Sequence, residues 1–283
     1  MPAGSLPIYG NYRGYYTKRP YTDARLALLD SDFFTGKTVL DIGCNEGWIS
    51  CDIAQRWGAR KVVGVDIDDE LIQHAWKRRR AVWSLSAPSE ELTPDSTSSE
   101  SQRKRKRDDG DTQLAVAASR CGSIAKSNHF PMAMSHLFGP LPIPPADAPQ
   151  ASLCFPHNVT FRTADWVKTG VRDDAEGYDV VLALSITKWI HLHGGDEGLL
   201  SFFRRIHTVL IKGGLLVLEP QGWEGYAKAK RMDPKLKETA KGLVLRPEEL
   251  TPSLEEIGFS LMRTAGVTGE GGFRRTVDIY VKS

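Results

Sequence analysis

Apolar residues along the chain fall into runs whose spacing alternates between that of a strand and that of a helix. Val39-Leu40-Asp41-Ile42 leads into the turn Gly43-Cys44-Asn45-Glu46-Gly47, and Trp48 to Ala54 then carries apolar residues at helical spacing. That predicts a strand, a turn and a helix. Lys61 to Asp66 predicts a second strand ending in acid. Asp69 to Trp83 predicts a helix with Leu71, Ile72, Ala75 and Trp76 on its apolar face. Asn158 to Arg162 predicts a third strand. Tyr178 to Ser185 predicts a fourth, apolar enough to be buried on both faces. Gly198 to Leu210 is an amphipathic helix capped by Lys212-Gly213-Gly214, and Leu215 to Gln221 is the fifth strand. Pro247 to Gly258 begins with a proline and acids and ends at a glycine, the signature of a helix. Phe259 to Val267 and Thr276 to Lys282 form a closing antiparallel pair. The expected fold is α/β, with a mostly parallel Rossmann-like sheet and an antiparallel end.

Two stretches break the pattern. Residues 6–21 interleave five tyrosines with Arg13, Lys18 and Arg19 among glycines and prolines, so no amphipathic helix forms there. Such a stretch either stacks on bases and pairs with phosphates, or lies over the core as packing. Asp23 to Leu29 then looks helical, with Arg25 facing the ligand pocket. Residues 84 to about 156 are rich in Ser, Pro, Thr and Glu and carry no sustained period, which predicts a disordered insertion. The expected organisation is an aromatic and basic arm over 1–22, then a single domain over 23–283 interrupted at about 84–156. The run Arg103-Lys104-Arg105-Lys106-Arg107 inside the insertion is a nuclear import signal, an electrostatic tether for RNA, or a solvated cluster.

Composition narrows the functional class. The 283 residues are 41% hydrophobic and 25% charged, enough for a sizeable core. The formal net charge of +2 gives no global field for a nucleic acid, so any basic site is local. Cys44, Cys51, Cys121 and Cys154 form no C-x-x-C pair, which argues against a disulfide scaffold or zinc site. No apolar run has membrane-spanning length and no signal-peptide pattern opens the chain, so a soluble intracellular protein without a membrane partner is expected.

The first turn is the centre of the candidate chemistry. A dinucleotide site would need glycine at positions 45 and 48, where the chain has Asn45 and Trp48. A Gly-x-Asn-x-Gly turn instead resembles the first motif of S-adenosylmethionine (SAM) methyltransferases. Asn45 can take the left-handed backbone that the turn requires. Asp66, at the end of the second strand, can accept from both ribose hydroxyls. After the third strand, Asp165 can accept from an adenine amine and Trp166 can offer a flat apolar wall. The stretch Ser185 to His193 follows the fourth strand and lies over the reacting centre, where open α/β sheets bind ligands. His191, His193 and Asp196 lack a further ligand pattern, so no metal is expected; His191 fixes the loop or contacts phosphate.

Gly10-Asn11-Tyr12-Arg13-Gly14-Tyr15-Tyr16, Val39 to Asn45, Val65 to Asp68, Leu184-Ser185-Ile186-Thr187-Lys188-Trp189-Ile190-His191-Leu192 and Leu218-Glu219-Pro220-Gln221 together resemble the RNA methylphosphate capping enzymes of the bicoid-interacting-protein type. The resemblance implies a class I SAM methyltransferase that methylates the γ-phosphate of a 5′-triphosphate on a small non-coding RNA and releases S-adenosylhomocysteine. It further implies a nuclear location and a setting among other proteins of a ribonucleoprotein. Matched by motif, Tyr16, Arg25, Gly43, Cys44, Asn45, Asp66, Ile67, Asp165, Trp166 and Leu184 would line the cofactor. Tyr15, Arg19 and Lys188 would act at the RNA 5′ end, with Tyr12, Arg13 and His191 as further RNA contacts. The family commonly has Asn-Tyr where this chain has Asp165-Trp166, and the stretch from Tyr16 to Arg25 is shorter than in the vertebrate enzyme. Other readings are an RNA 5′-monophosphate methyltransferase, a non-catalytic chaperone holding an RNA end, and a small-molecule methyltransferase.

Overall fold

Strands covered on both faces read as continuous apolar runs, and two of them set the centre of the molecule. The computed structural model describes residues 7–12, 15–16, 23–85, 136–146, 153–269 and 274–283. Within these, β1 (Thr38–Ile42) is buried at every position, and β4 (Tyr178–Leu184) at every position but Asp179. With β2 (Lys61–Asp66), β3 (Val159–Thr163), β5 (Leu210–Glu219), β6 (Phe259–Thr268) and β7 (Arg275–Lys282) they form one sheet in the order β3-β2-β1-β4-β5-β7-β6. The first five of that order run parallel, and β7 is antiparallel to both its neighbours. The final two strands pair antiparallel as expected, and it is β7 that joins them to the sheet, lying between β5 and β6.

Alternate strand residues feed two cores, as the two-residue period requires. Val39, Val62, Val180 and Val217 pack with Ile49 and Ile53 of α1 (Trp48–Arg56) and with Ile72 and Ala75 of α2 (Asp69–Ser84). On the opposite face, Leu40, Val63, Val181 and Leu216 pack with two later helices. These are α4 (Thr187–Val209), through Leu199, Phe202 and Ile206, and α7 (Leu250–Ile257), through Leu254. Three further helices are short: α3 (Trp166–Thr169), α5 (Glu224–Ala229) and α6 (Pro234–Thr239).

Three local expectations change. Asp23 to Leu29 forms only a 3-10 turn at Leu26–Leu28. The chain from Thr187 is already helical, and the break falls at Gly195, whose φ of 68° is left-handed. The Lys212-Gly213-Gly214 stretch does not cap that helix. It is a bulge inside β5, where pairing with β4 shifts from Leu210↔Tyr178 to Leu215↔Val180.

The basic run at the end of α2 has structural partners. The Arg78 guanidinium lies 3.1 Å from the Trp48 ring centroid, and that of Arg79 4.6 Å from Trp76. Arg80 donates to the carbonyls of Pro140 (2.6 Å) and Leu141 (2.9 Å), while Leu141 N donates to Ser84 Oγ at 2.7 Å. Residues 136–146, expected to be disordered, are therefore fastened to α2. The rest of the insertion up to residue 152, including Arg103 to Arg107, lies outside the described residues, as do Arg13 and Arg19.

Candidate active site

Parallel strands end together, and here their carboxyl ends open on one cavity of about 730 Å³. The turn after β1 provides its floor. Gly43, Asn45 and Gly47 all have left-handed φ, at 75°, 53° and 71°. A Cβ at Gly43 would overlap Ile186 Cγ2, so glycine there lets the segment after β4 come down onto the turn. Asn45 N and Asp68 N donate to the two oxygens of Asp66 at 2.9 and 3.0 Å. Burial pushes the Asp66 carboxyl up to about 6 despite these bonds. Asp68 caps α2 and accepts from Asn11 Nδ2 at 2.6 Å; Asn11 Oδ1, also at the cavity, is buried without a partner among the described residues.

The N-terminal segment forms a roof. His193 Nε2 donates to the Ile8 carbonyl at 3.0 Å, and Tyr9 stacks on the His193 ring at 4.3 Å. Gly10 is pressed against Trp189, Tyr12 meets Trp189 edge-on, and Asn45 Nδ2 donates to the Tyr12 carbonyl at 3.2 Å. Tyr12, Tyr15 and Tyr16 line the cavity, with Tyr16 stacked on Trp48 behind. Of the residues singled out from the motifs, Gly43, Asn45, Asp66, Ile67, Leu184 and Lys188 also line the cavity.

Lys188 stands at the start of α4. Its backbone N donates to Gln221 Oε1 at 2.9 Å, Thr187 Oγ1 donates to the same oxygen, and Gln221 Nε2 donates to the Ser185 carbonyl. Gln221, buried after β5, thereby staples the whole segment carrying Lys188. Burial pushes the Lys188 ammonium down to about 8, with the positive charges of Arg275 and Lys228 acting in the same direction and Glu224 opposing. Lys228 and Arg275 also line the cavity. One part of the cavity wall thus gathers Lys188, Lys228 and Arg275, while Asp66 and Asp165 are its acidic lining residues.

Several expected contacts fall elsewhere. Arg25 does not line the cavity: it is 1% exposed and ion-paired with Asp23 at 2.7 Å and Glu219 at 2.8 Å, with Tyr16 OH also accepting from it. The turn carrying it points into the core. Cys44 is likewise buried beneath the turn, and burial pushes its thiol well above the usual range. Trp166 reaches the cavity lining but is only 2% exposed, and its Nε1 donates to the Asp174 carboxylate; its ring belongs to the core rather than to an open wall. Asp165 lines the cavity, with one carboxylate oxygen ion-paired to Lys168 Nζ at 2.7 Å. His191 is fully buried between Asp196 (2.7 Å) and Tyr226 OH (3.1 Å), away from the cavity. Burial holds the ring below its usual range and hence neutral, so Nε2 donates to Asp196 and Nδ1 accepts from Tyr226. It fixes the helix start and does not reach a ligand.

Sequence reasoning missed Tyr9, Asn11, His193, Gln221, Lys228 and Arg275 as lining residues. Arg275 had a readable signal. A strand antiparallel to β5 begins at the edge where the parallel strands end, so its first residue faces the site.

Comparison with known proteins follows the same lines. Residues 178–282 match the family model described as bicoid-interacting protein 3, and residues 39–96 a methyltransferase domain model. Over 97% of its length the chain is 37% identical to the human 7SK snRNA methylphosphate capping enzyme and covers 39% of it. The chain thus spans about two fifths of the length of that relative. It is 33% identical, over 97% of its length, to a probable RNA methyltransferase of Arabidopsis thaliana, of which it covers 80%. Among solved structures, the N-methyltransferase NodS of Bradyrhizobium japonicum with S-adenosylhomocysteine has a TM-score of 0.52 and 12% identity, covering 94% of this chain and 90% of that one. That likeness gives the fold: a class I SAM methyltransferase.

Proposed function

The chain belongs to the bicoid-interacting protein 3 family, and from that membership we propose that it methylates the 5′-terminal phosphate of a small non-coding RNA, the γ-phosphate of a 5′-triphosphate. The observation that carries this reading is the gathering of Lys188, Lys228 and Arg275 at a half-enclosed cavity beside the glycine turn. Three cations around one site suit a multiply charged anion better than a neutral acceptor.

The residues present fit SAM. Asp66 holds a carboxylate at the cavity, fixed by backbone N–H groups of the turn and of residues 67–68, and among the described residues Asn11 Oδ1 is an acceptor lacking a donor. A ribose diol brings two hydroxyl donors to such a pair. Ile67, Leu184 and Val65 add apolar lining, and Gly43 and Asn45 present backbone without bulk. Asp66, Asn11 and the turn would hold the cofactor, which supplies a methyl carbon activated by a sulfonium.

The chain's own tasks are then electrostatic. A terminal phosphate has its second pKa near about 6 and is largely a dianion at neutral pH, so it needs no strong general base. Lys188, charged below about 8, binds and orients that dianion. Tyr15 and Tyr12 of the roof exclude water and offer faces for the first bases. The snRNA in the name of the human relative and the Arg103 to Arg107 run support a nuclear setting.

Matched RNAs ending in triphosphate, monophosphate or hydroxyl, incubated with methyl-labelled SAM, test the proposal. Label on the triphosphate end, removable with that phosphate, is the expected result. Label on the monophosphate end alone would replace it with the monophosphate reading, and label on a base or ribose would refute it.

A further inference from the structure

The roof over residues 7–12 is bonded to the same residues that hold Asp66. Asn45 N and Asp68 N donate to the Asp66 carboxylate at 2.9 and 3.0 Å. The side chains of those two residues reach up to the roof. Asn45 Nδ2 donates to the Tyr12 carbonyl at 3.2 Å, and Asp68 accepts from Asn11 Nδ2 at 2.6 Å. Tyr12 also meets the ring of Trp189, the residue after Lys188. One short strip of chain is thus fastened beside Asp66 at one edge and packed next to Lys188 at the other.

The Asn11 amide has a fixed orientation. An ionised carboxylate only accepts, so the group facing Asp68 is the amide NH2, and Oδ1 is left as an acceptor. That oxygen is buried, no donor among the described residues reaches it, and Asn11 lines the cavity. A buried carbonyl without a donor opposes the arrangement that buries it. A hydroxyl brought by a ligand at Asp66 removes that cost, and a ribose diol carries two. Asn11 is one hydrogen bond from Asp68, and Asp68 one from Asp66, so both acceptors belong to a single bonded chain at the cavity wall.

We infer that Asn11 Oδ1 accepts from a ribose hydroxyl of the cofactor, and that this bond couples the two substrates: the cofactor seats residues 7–12, and the seated roof binds the RNA end more tightly. By linkage, RNA tightens the cofactor by the same factor. The coupling deepens the 5′-phosphate reading and rests on it for the identity of the second ligand. The Asn11 contact itself can be tested without RNA.

The probes are S-adenosylhomocysteine and its 2′-deoxy and 3′-deoxy analogues, titrated calorimetrically into the full chain. Asn11→Ala is expected to bind S-adenosylhomocysteine about tenfold more weakly than wild type, the scale for losing one hydrogen bond and stranding its partner. Against the analogue that lacks the hydroxyl facing Asn11, wild type and variant are expected to bind equally, because the bond is already gone. Asn11→Ser carries the comparison if the alanine variant does not fold. The same loss against all three ligands would overturn the contact, since Asn11 would then act only by bracing Asp68. Equal binding of S-adenosylhomocysteine by wild type and variant would overturn it too, and no binding by wild type would remove the cofactor assignment with it. For the coupling, amide exchange over residues 8–12 is expected to slow when S-adenosylhomocysteine is added to wild type and to stay unchanged in Asn11→Ala. A 5′-triphosphate oligonucleotide is expected to bind wild type about fivefold or more tightly with S-adenosylhomocysteine present, and Asn11→Ala equally with and without it. An unresponsive roof, or no gain in wild type, would overturn the coupling. A roof that responds through Asn11 in a chain that binds no 5′-phosphorylated RNA would refute the RNA reading and leave the Asn11 contact standing.

Discussion

Lys188 must be charged to hold a phosphate, yet it sits where charge is costly. Burial and the neighbouring Arg275 and Lys228 bring its ammonium down to about 8 from an ordinary value of 10.5. Between those two pH values the unfolded chain binds more protons than the folded one. Stability from this group therefore rises with pH across that window, and at neutral pH the folded protein bears the cost. Lys188→Met should accordingly raise the melting temperature at pH 7 and lose that advantage near pH 10; a variant less stable than wild type at pH 7 would contradict the electrostatic account. Activity should follow the same titration. The free-enzyme profile of kcat/KM should rise as the phosphate ionises near about 6 and fall above about 8 as Lys188 loses its proton. Lys188→Arg should be slower but lose the alkaline fall, since a guanidinium stays charged. At the other wall, Asp66→Asn should weaken SAM by roughly 1.5–3 kcal/mol, read by calorimetry, because an amide cannot replace a carboxylate accepting charge-assisted bonds.

At the scale of elements, two short pieces of chain determine whether the site is assembled. Gln221 ties the end of β5 to Ser185, Thr187 and Lys188, so Gln221→Leu frees the segment that aims Lys188. The expected result is a large fall in single-turnover transfer with SAM affinity nearly unchanged, and a stability loss of about 1–3 kcal/mol from unsatisfied buried groups. The roof depends on Gly10, whose φ is 76° and whose absent Cβ leaves room for the Trp189 ring. Gly10→Ala should lift the roof, raising the KM for RNA while the melting temperature of the core holds. A variant with wild-type KM would show that residues 7–12 are not part of the binding surface. The turn at Gly43 to Gly47 was legible because its backbone needs residues that tolerate positive φ, and the sequence places Gly, Asn and Gly there. The buried strands were legible from their unbroken apolar runs. The start of α4 was not: Gly194 and Gly195 sit inside its sequence, and the break at Gly195 comes after a helix start held by tertiary bonds to Gln221 and Tyr226. Arg25 was misplaced because a buried ion-pair cluster leaves no periodic trace; its partners Asp23 and Glu219 are two and 194 residues away.

Across the whole molecule, the insertion and the cavity are separate matters. Arg80 and Ser84 of α2 hold residues 140–141, so the boundary of what folds with the domain lies inside the stretch 84–156. Deleting residues 88–134 should leave the melting temperature and SAM binding unchanged, because loop length adds only slowly to closure cost. Deleting residues 88–150 should lower the melting temperature by removing those contacts; equal melting of both deletions would show that the anchor contributes nothing. The cavity, by contrast, is assembled from distant parts of the chain: the roof from residues 7–12 and 15–16, the floor from Gly43, Asn45 and residues 65–67, and cations that include Lys188, Lys228 and Arg275. The central claim is that this basic end positions a terminal RNA phosphate for methylation. Single-turnover transfer from labelled SAM to a 5′-triphosphate RNA, at saturating RNA, compares wild type with Lys188→Ala most directly. The account predicts label on the terminal phosphate and a rate lower by about 10²–10³ in the variant, with SAM affinity unchanged. Equal rates, or label elsewhere on the RNA, would contradict it.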